Sequence, residues 1–418
     1  MIEGEMPVFR LENPIRNYAW GSYDGLKTWA GIATDGAKPS AECWMGAHPE
    51  APSAIDMPGG GVLSLSRYIH DNPINSLGEE VFAEFGDLPF LFKVLSASMP
   101  LSIQVHPDKA RAEAGFEREE KLRIPRMAPE RNYKDRNHKP ELAVALSPFS
   151  ALCGFRPANE AAEMLGLELC GYFGFSEDDA EASPRLLLRK ALSSRDRERT
   201  LLENMAMSRA WELAKSADGK ARIAGETTLM CFEHYPHDPG AISPLFMKIL
   251  FLEPGQGLYI PAGIMHAYLK GTILEIMATS DNVIRGGLTH KHIDVDDLLA
   301  SLNFKAEPIL VEPRSSASDA RESSWPTPAR EFSLSCFSLP DQKRADIKIS
   351  GPEILLCTEG QVSVDLATGK NSSIILKRGE AAFVSASCTS FSLRGPSTVY
   401  RARVGSPPST PGSPEAAT

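Results

Sequence analysis

The chain reads as mainly β, two β-barrels plus an α-helical insertion, and three observations carry that reading. Short apolar runs alternate with turn residues over most of the length, a central stretch changes to helical texture, and one turn-and-strand unit occurs twice. At 418 residues the chain exceeds what one core ordinarily holds, so two or three domains are expected.

Residues 1–156 read as the amino-terminal part of the first barrel region. Pro89-Phe-Leu-Phe-Lys-Val-Leu95 and Leu101-Ser-Ile-Gln-Val105 read as strands, and Glu79–Phe85 reads as a helix with Val81, Phe82 and Phe85 on one face. Residues 157–240 are rich in Leu, Ala, Glu, Arg and Lys, with Leu201, Leu202, Met205 and Trp211 near helical spacing, and form the insertion. Strand texture resumes in 241–312 with Leu252-Glu-Pro-Gly-Gln-Gly-Leu-Tyr-Ile-Pro-Ala262. This shape recurs 124 residues later as Leu376-Lys-Arg-Gly-Glu-Ala-Ala-Phe-Val-Ser-Ala386, with Gly fourth and an apolar alternation ending in Ala. His266 follows the first copy where Ser390 follows the second, so only the first barrel is equipped for a metal; the second, 313–405, is degenerate. Glu312–Arg330 has linker composition, and the Pro- and Ser-rich tail 406–418 is expected to be disordered.

With 42% apolar and 23% charged residues and no long apolar run, the composition excludes a membrane span. The amino-terminal MIEGEMPVFR has acids where a secretory signal has bases, which points to the cytoplasm. A net charge of -10 leaves no basic footprint for nucleic acid. Seven cysteines without a CxxC pair point to reduced, mostly buried thiols rather than a disulfide framework or a thiolate zinc site.

Gln104 and His106 stand two apart in an apolar alternation and would share one strand face. His266 follows Pro261-Ala-Gly263, and Glu141 precedes the strand-like Leu142-Ala-Val-Ala-Leu146. Together these offer a mixed N/O set for Zn²⁺, Fe²⁺ or Mn²⁺. Taken singly, each also suits a structural role, and spacing alone leaves both open.

The chain resembles the type I phosphomannose isomerases, members of the cupin superfamily. The resemblance rests on Asn17-Tyr-Ala-Trp-Gly21, Ala41-Glu-Cys-Trp-Met-Gly-Ala-His-Pro49, Pro89–Leu95, Leu101-Ser-Ile-Gln-Val-His-Pro-Asp-Lys109, Asn137-His-Lys-Pro-Glu141, Tyr259–Gly263, His266-Ala-Tyr268 and Ser280–Thr289, in the family's order and spacing. It runs from about residue 7 to about residue 300 and thins through the insertion and the second barrel. The chain departs from the family at Gln256, usually acidic, at Gly286, usually Ala, and at Cys43, commonly Leu.

The resemblance implies two cupin (jelly-roll) barrels and one zinc per chain, held by Gln104, His106, Glu141 and His266. It also implies an aldose–ketose isomerase acting on mannose 6-phosphate and fructose 6-phosphate, a small-molecule sugar phosphate, through an enediol. Arg285 is the implied active-site arginine, and Lys139, Glu275, Asp281 and Lys291 resemble pocket residues. Arg285 is always protonated and so orients substrate or steadies the enediolate. Lys139 can serve as base only in its neutral form, which burial and a neighbouring cation favour; Glu275 is the alternative. Ser102, Lys93 and Lys291 are candidates for the phosphate, and Trp20 and Tyr268 shape the sugar pocket. Two rivals are a sugar-phosphate-binding protein without turnover and an iron oxygenase of the same superfamily. A monomer is expected.

Overall fold

A computed structural model describes residues 7–405, apart from 58–59, 180, 318, 341–342 and 367–372. The tail expected to be disordered lies outside the described residues, and so does residue 318 of the expected linker.

The β structure forms two antiparallel sheets that run in the same strand order. In the first, the path is Ile15–Arg16, Glu42–Met45, Phe90–Ala97, His266–Ala278, Glu141–Ala145, Gly257–Ile260 and Ile309–Val311. In the second it is Arg314–Ser315, Glu322–Trp325, Ser333–Leu339, Ser397–Arg403, Glu353–Leu366, Ala381–Val384 and Val8–Glu12, with Ala54–Asp56 and Val62–Ser64 beyond. The chain therefore lends its first strand to the second sheet, pairing Val8 with Val384 and Leu11 with Ala381.

Strand alternation decides what faces where. Phe92, Val94, Leu142, Val144, Leu274 and Ile276 of the first sheet enter one core with Leu334, Ile354, Leu356, Phe383 and Ala402 of the second. The intervening positions point the other way. They put Leu95, Ala143, Ala145 and Ile273 into an inner cluster of the first sheet, and Phe337, Leu355, Cys357 and Val399 into an inner cluster of the second. Lys93, Glu141 and Glu275 occupy this inner register of the first sheet, opposite in facing to Phe92, Leu142 and Leu274.

Between Phe155 and Met247 the described residues form four α-helices, Ala158–Phe173, Ala182–Ser193, Asp196–Ala214 and Gly219–His234, then a 3₁₀ turn Pro239–Leu245. Their buried face includes Leu202 and Met205 and packs against Ile103, Val105, Met265 and Ala267. The helices thus back the strands that carry Gln104 and His266. Leu201 and Trp211 face solvent, because the apolar positions of that helix are spread around its axis instead of forming one stripe. The helix at Glu79–Phe85 likewise buries Val81 but leaves Phe82 exposed. All seven cysteines are free thiols, five of them buried. Among the described residues no helix is long and apolar enough to cross a membrane.

Candidate metal centre and its cavity

Three strand ends converge to build the centre. Gln104 lies in Ile103–Val105 with its neighbours Ile103 and Val105 turned to the helices, so the carboxamide faces inward. His106 follows that strand, His266 opens His266–Ala278 directly opposite Gln104, and Glu141 opens Glu141–Ala145. His106, Glu141 and His266 are each at most 2% exposed. Their ligand atoms lie within 4.8 Å of one another. His106 Nε2 is 3.2 Å from one Glu141 oxygen, and His266 Nε2 is 3.3 Å from the other.

Several features fit this set to a divalent metal. Bonds of about 2.0–2.2 Å at tetrahedral angles separate ligand atoms by roughly 3.4 Å, close to the spacings observed. His106 Nδ1 donates to the Asn282 carbonyl at 2.7 Å and His266 Nδ1 to the Ile264 carbonyl at 2.9 Å, which leaves both Nε2 lone pairs facing the centre. His106 Nε2 and Glu141 Oε2 are buried without a hydrogen-bond partner among the described residues, an arrangement that is costly unless a cation satisfies them. The Gln104 carboxamide is 3.4 Å from His266 Nε2, and a half-turn about its last bond presents Oε1 to the centre. Burial pushes the His106 pKa down despite the pull of Glu141. Burial alone would raise Glu141, but His106 and Lys139 outweigh it and hold the carboxyl well below its usual range. A neutral His106 imidazole and an ionised Glu141 are the protonation states a metal requires.

The centre opens into a cavity of about 490 Å³ lined by Trp20, Lys93, Ser102, Gln104, Lys139, Glu141, Tyr268, Glu275, Arg285 and Lys291 among others. A second cavity of equal volume, walled by Trp29, Pro148, Phe149 and Phe251, contains none of these groups. Within the first cavity Glu275 is clamped, accepting from Lys93 Nζ at 2.9 Å and from Tyr268 OH at 2.7 Å. Burial works against the Lys93 charge, but Glu275 and Glu42 overcome it and hold its pKa up. Burial, then the Glu275 charge, raises Tyr268 well above an ordinary phenol. Lys139 Nζ is 3.4 Å from Glu141 Oε1.

Arg285 and Lys291 differ from Lys93 in having no carboxylate within ion-pair distance among the described residues. Burial lowers the Arg285 pKa; burial and then the Arg285 charge lower Lys291. This wall carries unbalanced positive charge.

Asp281 does not line the cavity. Its carboxylate faces His48 Nε2 at 3.4 Å, and its backbone N–H donates to Asp135. Sequence reasoning passed over Glu42, whose carboxylate takes the Trp44 indole N–H at 2.9 Å and lies 3.6 Å from Lys93. A lone acid inside an apolar word was its signal. Tyr235, which arrives from the helices, gave none.

A buried imidazole–carboxylate centre opening into a partly cationic cavity defines a metalloenzyme for a small anionic substrate. Residues 8–158 match the model of the type I phosphomannose isomerase catalytic domain. Mannose-6-phosphate isomerase of Escherichia coli K12 is 39% identical over 92% of this chain and 97% of its own. The Homo sapiens enzyme of that name is 34% identical over 91% and 93%. Among solved structures, a variant phosphomannose isomerase from Salmonella typhimurium superposes with a TM-score of 0.87 at 35% identity, covering 96% of this chain and all of that one. A zinc-bound mannose 6-phosphate isomerase superposes at 0.85 with 36% identity and the same coverage. The chain belongs to the type I phosphomannose isomerase family.

Proposed function

We propose that the chain interconverts mannose 6-phosphate and fructose 6-phosphate with one zinc ion held by Gln104, His106, Glu141 and His266. The observation that carries this reading is the joining, in one cavity, of two orphaned buried ligand atoms and a wall of uncompensated cations. Zinc bound there supplies a Lewis acid for a substrate oxygen as charge develops.

The chain's own residues supply the rest. Arg285 and Lys291, with the Ser102 hydroxyl, receive the anionic end of the substrate, and Arg285 reaches toward the developing enediolate. Lys139 carries the proton between C1 and C2, a role supported by its burial at the edge of the centre, 3.4 Å from the proposed ligand Glu141, where a bound zinc cation would disfavour its charged form. Both oxygens of Glu275 are already engaged, so its work is to orient Lys93 and Tyr268 against the sugar. Trp20, stacked on Tyr18 at 5.5 Å, forms the apolar wall, and Asp281 acts from outside the cavity through His48.

We read the two sheets as the frames of two cupin jelly-roll barrels in a cytoplasmic monomer. The first surrounds the centre and is interrupted by the helices of 157–240; the second covers 313–405 and borrows Val8–Glu12. The test is formation of fructose 6-phosphate from mannose 6-phosphate by zinc-loaded protein. Activity should vanish on chelation and return with zinc, and a zinc-replete chain that binds the sugar phosphate without converting it would overturn the reading.

A further inference from the structure

The cationic wall is carried by residues 285–291; Arg285 is held in the strand Ile284–Gly287, but the chain that follows it toward Lys291 does not hold its own shape. Gly287 has φ 133°, and the buried Leu288 after it has φ 52°, a left-handed conformation that a leucine rarely adopts unless its surroundings impose it. What imposes it is the end of the helical region. A Cβ on Gly287 would meet the Gly240 Cα at 2.5 Å, so the two backbones touch where neither tolerates a side chain.

Asp238 closes this contact with both carboxylate oxygens. Oδ1 accepts from the Gly240 N–H at 2.7 Å and caps the 3₁₀ turn Pro239–Leu245, which by itself is an ordinary cap. Oδ2 reaches across the chain and accepts from the Thr289 N–H at 2.9 Å. Three residues earlier, Tyr235 donates its hydroxyl to the Pro100 carbonyl at 2.7 Å, just ahead of Ser102, while its ring lies 6.3 Å from that of His290. His237, between the two, also has a left-handed φ of 64°. One strap, residues 235–240, thus grips both rims of the cavity.

We infer that Asp238 is a positioning residue for substrate binding, its second carboxylate oxygen holding the strained 287–289 segment so that Lys291, beyond it, faces the anionic end of the substrate. The inference rests on the proposed isomerase reading. It assigns to the helical region a share of substrate recognition, although that region supplies none of the metal ligands. Because the segment would hold the phosphate alike in ground and transition states, its loss acts on KM more than on kcat.

Asp238→Asn isolates the effect. Asparagine caps a helical turn as well as aspartate does, so the bond to Gly240 persists, while its NH₂ cannot accept from Thr289. The expected result for zinc-loaded protein is a KM for mannose 6-phosphate about tenfold higher, the size of one lost hydrogen bond to a charged group, with kcat within about threefold and zinc content and Tm unchanged. Tyr235→Phe, which leaves the cap untouched, should raise KM about threefold by loosening the Ser102 rim. Normal KM in Asp238→Asn, or a fall in kcat accompanied by zinc loss, would overturn the inference; if Asp238→Asn does not fold, Tyr235→Phe decides, and a normal KM there counts against the strap. Turnover by the unmodified chain tests the isomerase reading separately. Should there be none, calorimetry with inorganic phosphate still judges Asp238: about tenfold weaker binding in the variant supports it, and equal or absent binding to both proteins refutes it.

Discussion

The two sheets differ most where they correspond most closely. In each, a turn ends on a glycine with left-handed φ, Gly255 at 92° and Gly379 at 86°. Gly255 N–H donates to Ala145, whose own N–H donates to Gln256; Gly379 and Cys357 repeat this with Glu380. Register then aligns Gln104 with Ile347, His266 with Phe391 and not with the Ser390 that sequence spacing suggested, Glu141 with Glu353, Lys93 with Ser335, Glu275 with Arg401 and Glu42 with Glu322. Of the first sheet's proposed metal ligands only the carboxylate persists in the second. There Arg401 donates to both oxygens of Glu353, with Nε–H at 2.7 Å, and lies 3.4 Å from Glu322. A guanidinium from a strand neighbour stands beside the carboxylate that an external cation would otherwise satisfy. The same backbone frame thus accommodates a metal centre in one sheet and a closed ion cluster in the other, and the difference lies in a few inward side chains.

The largest effect expected from breaking this contrast comes at His266→Ala, which leaves the first sheet without a ligating side chain where the second has Phe391. Zinc content should fall from one ion per chain toward none, and turnover should fall by at least about a thousandfold, the equivalent of roughly 4 kcal/mol of barrier. Elemental analysis beside the rate measurement checks both. Full occupancy with a normal rate would sink the ligand assignment, and two ions per wild-type chain would sink the claim that the second sheet binds none.

Next comes Arg401→Leu, which strands the buried Glu353 carboxylate and should cost about 3–5 kcal/mol. In a chain of this size that is a fall in Tm of about 5 °C. Adding Glu353→Leu should recover most of the loss, because two apolar side chains leave no uncompensated charge. The kcat and KM of the folded fraction should be unchanged throughout. If the double variant is no more stable than the single one, Arg401 does not serve as Glu353's counter-cation.

How much of this was legible beforehand depends on how far each signal travels along the chain. The candidate ligands were legible as a set only through the family resemblance, because each sits in one of its short words, whereas alternation by itself said no more than that Gln104 and His106 share a strand face. The repeat was legible at Gly255 and Gly379, where two copies of one turn chemistry survive in sequence. The correspondence of Glu141 with Glu353 was not, because it emerges only from strand register across segments of unlike length. Asp238 was silent for a related reason: a carboxylate before a proline reads as a local cap, and its bond to Thr289 spans 51 residues. Leu201 and Trp211 correctly marked a helix, but helical spacing reports periodicity without saying which side is covered, and both face solvent.

The smallest effect expected concerns Gln256, where the family usually has an acid. Its carbonyl oxygen accepts from the Glu253 N–H at 2.9 Å, as the Glu380 carboxylate accepts from the Lys377 N–H at 2.8 Å, so the turn is closed equally well in both copies. What differs is the neighbour. Glu380 is paired with Arg10 of the flanking strand, whereas Gln256 Nε2 donates to Glu312 at 2.7 Å beside its own flanking strand. An acid at 256 would therefore face an acid at 312, and the amide avoids this while keeping the turn. Gln256→Glu should destabilise by only about 0.5 kcal/mol, since the pair is exposed, and added salt should erase most of that. Gln256→Glu combined with Glu312→Arg should restore the stability by copying the second turn's charge pattern. Thermal melts of both variants at low and high salt check the argument. A loss in Gln256→Glu that is large or indifferent to salt would mean that the amide is needed for turn geometry, and that the two turns are less alike than their hydrogen bonds.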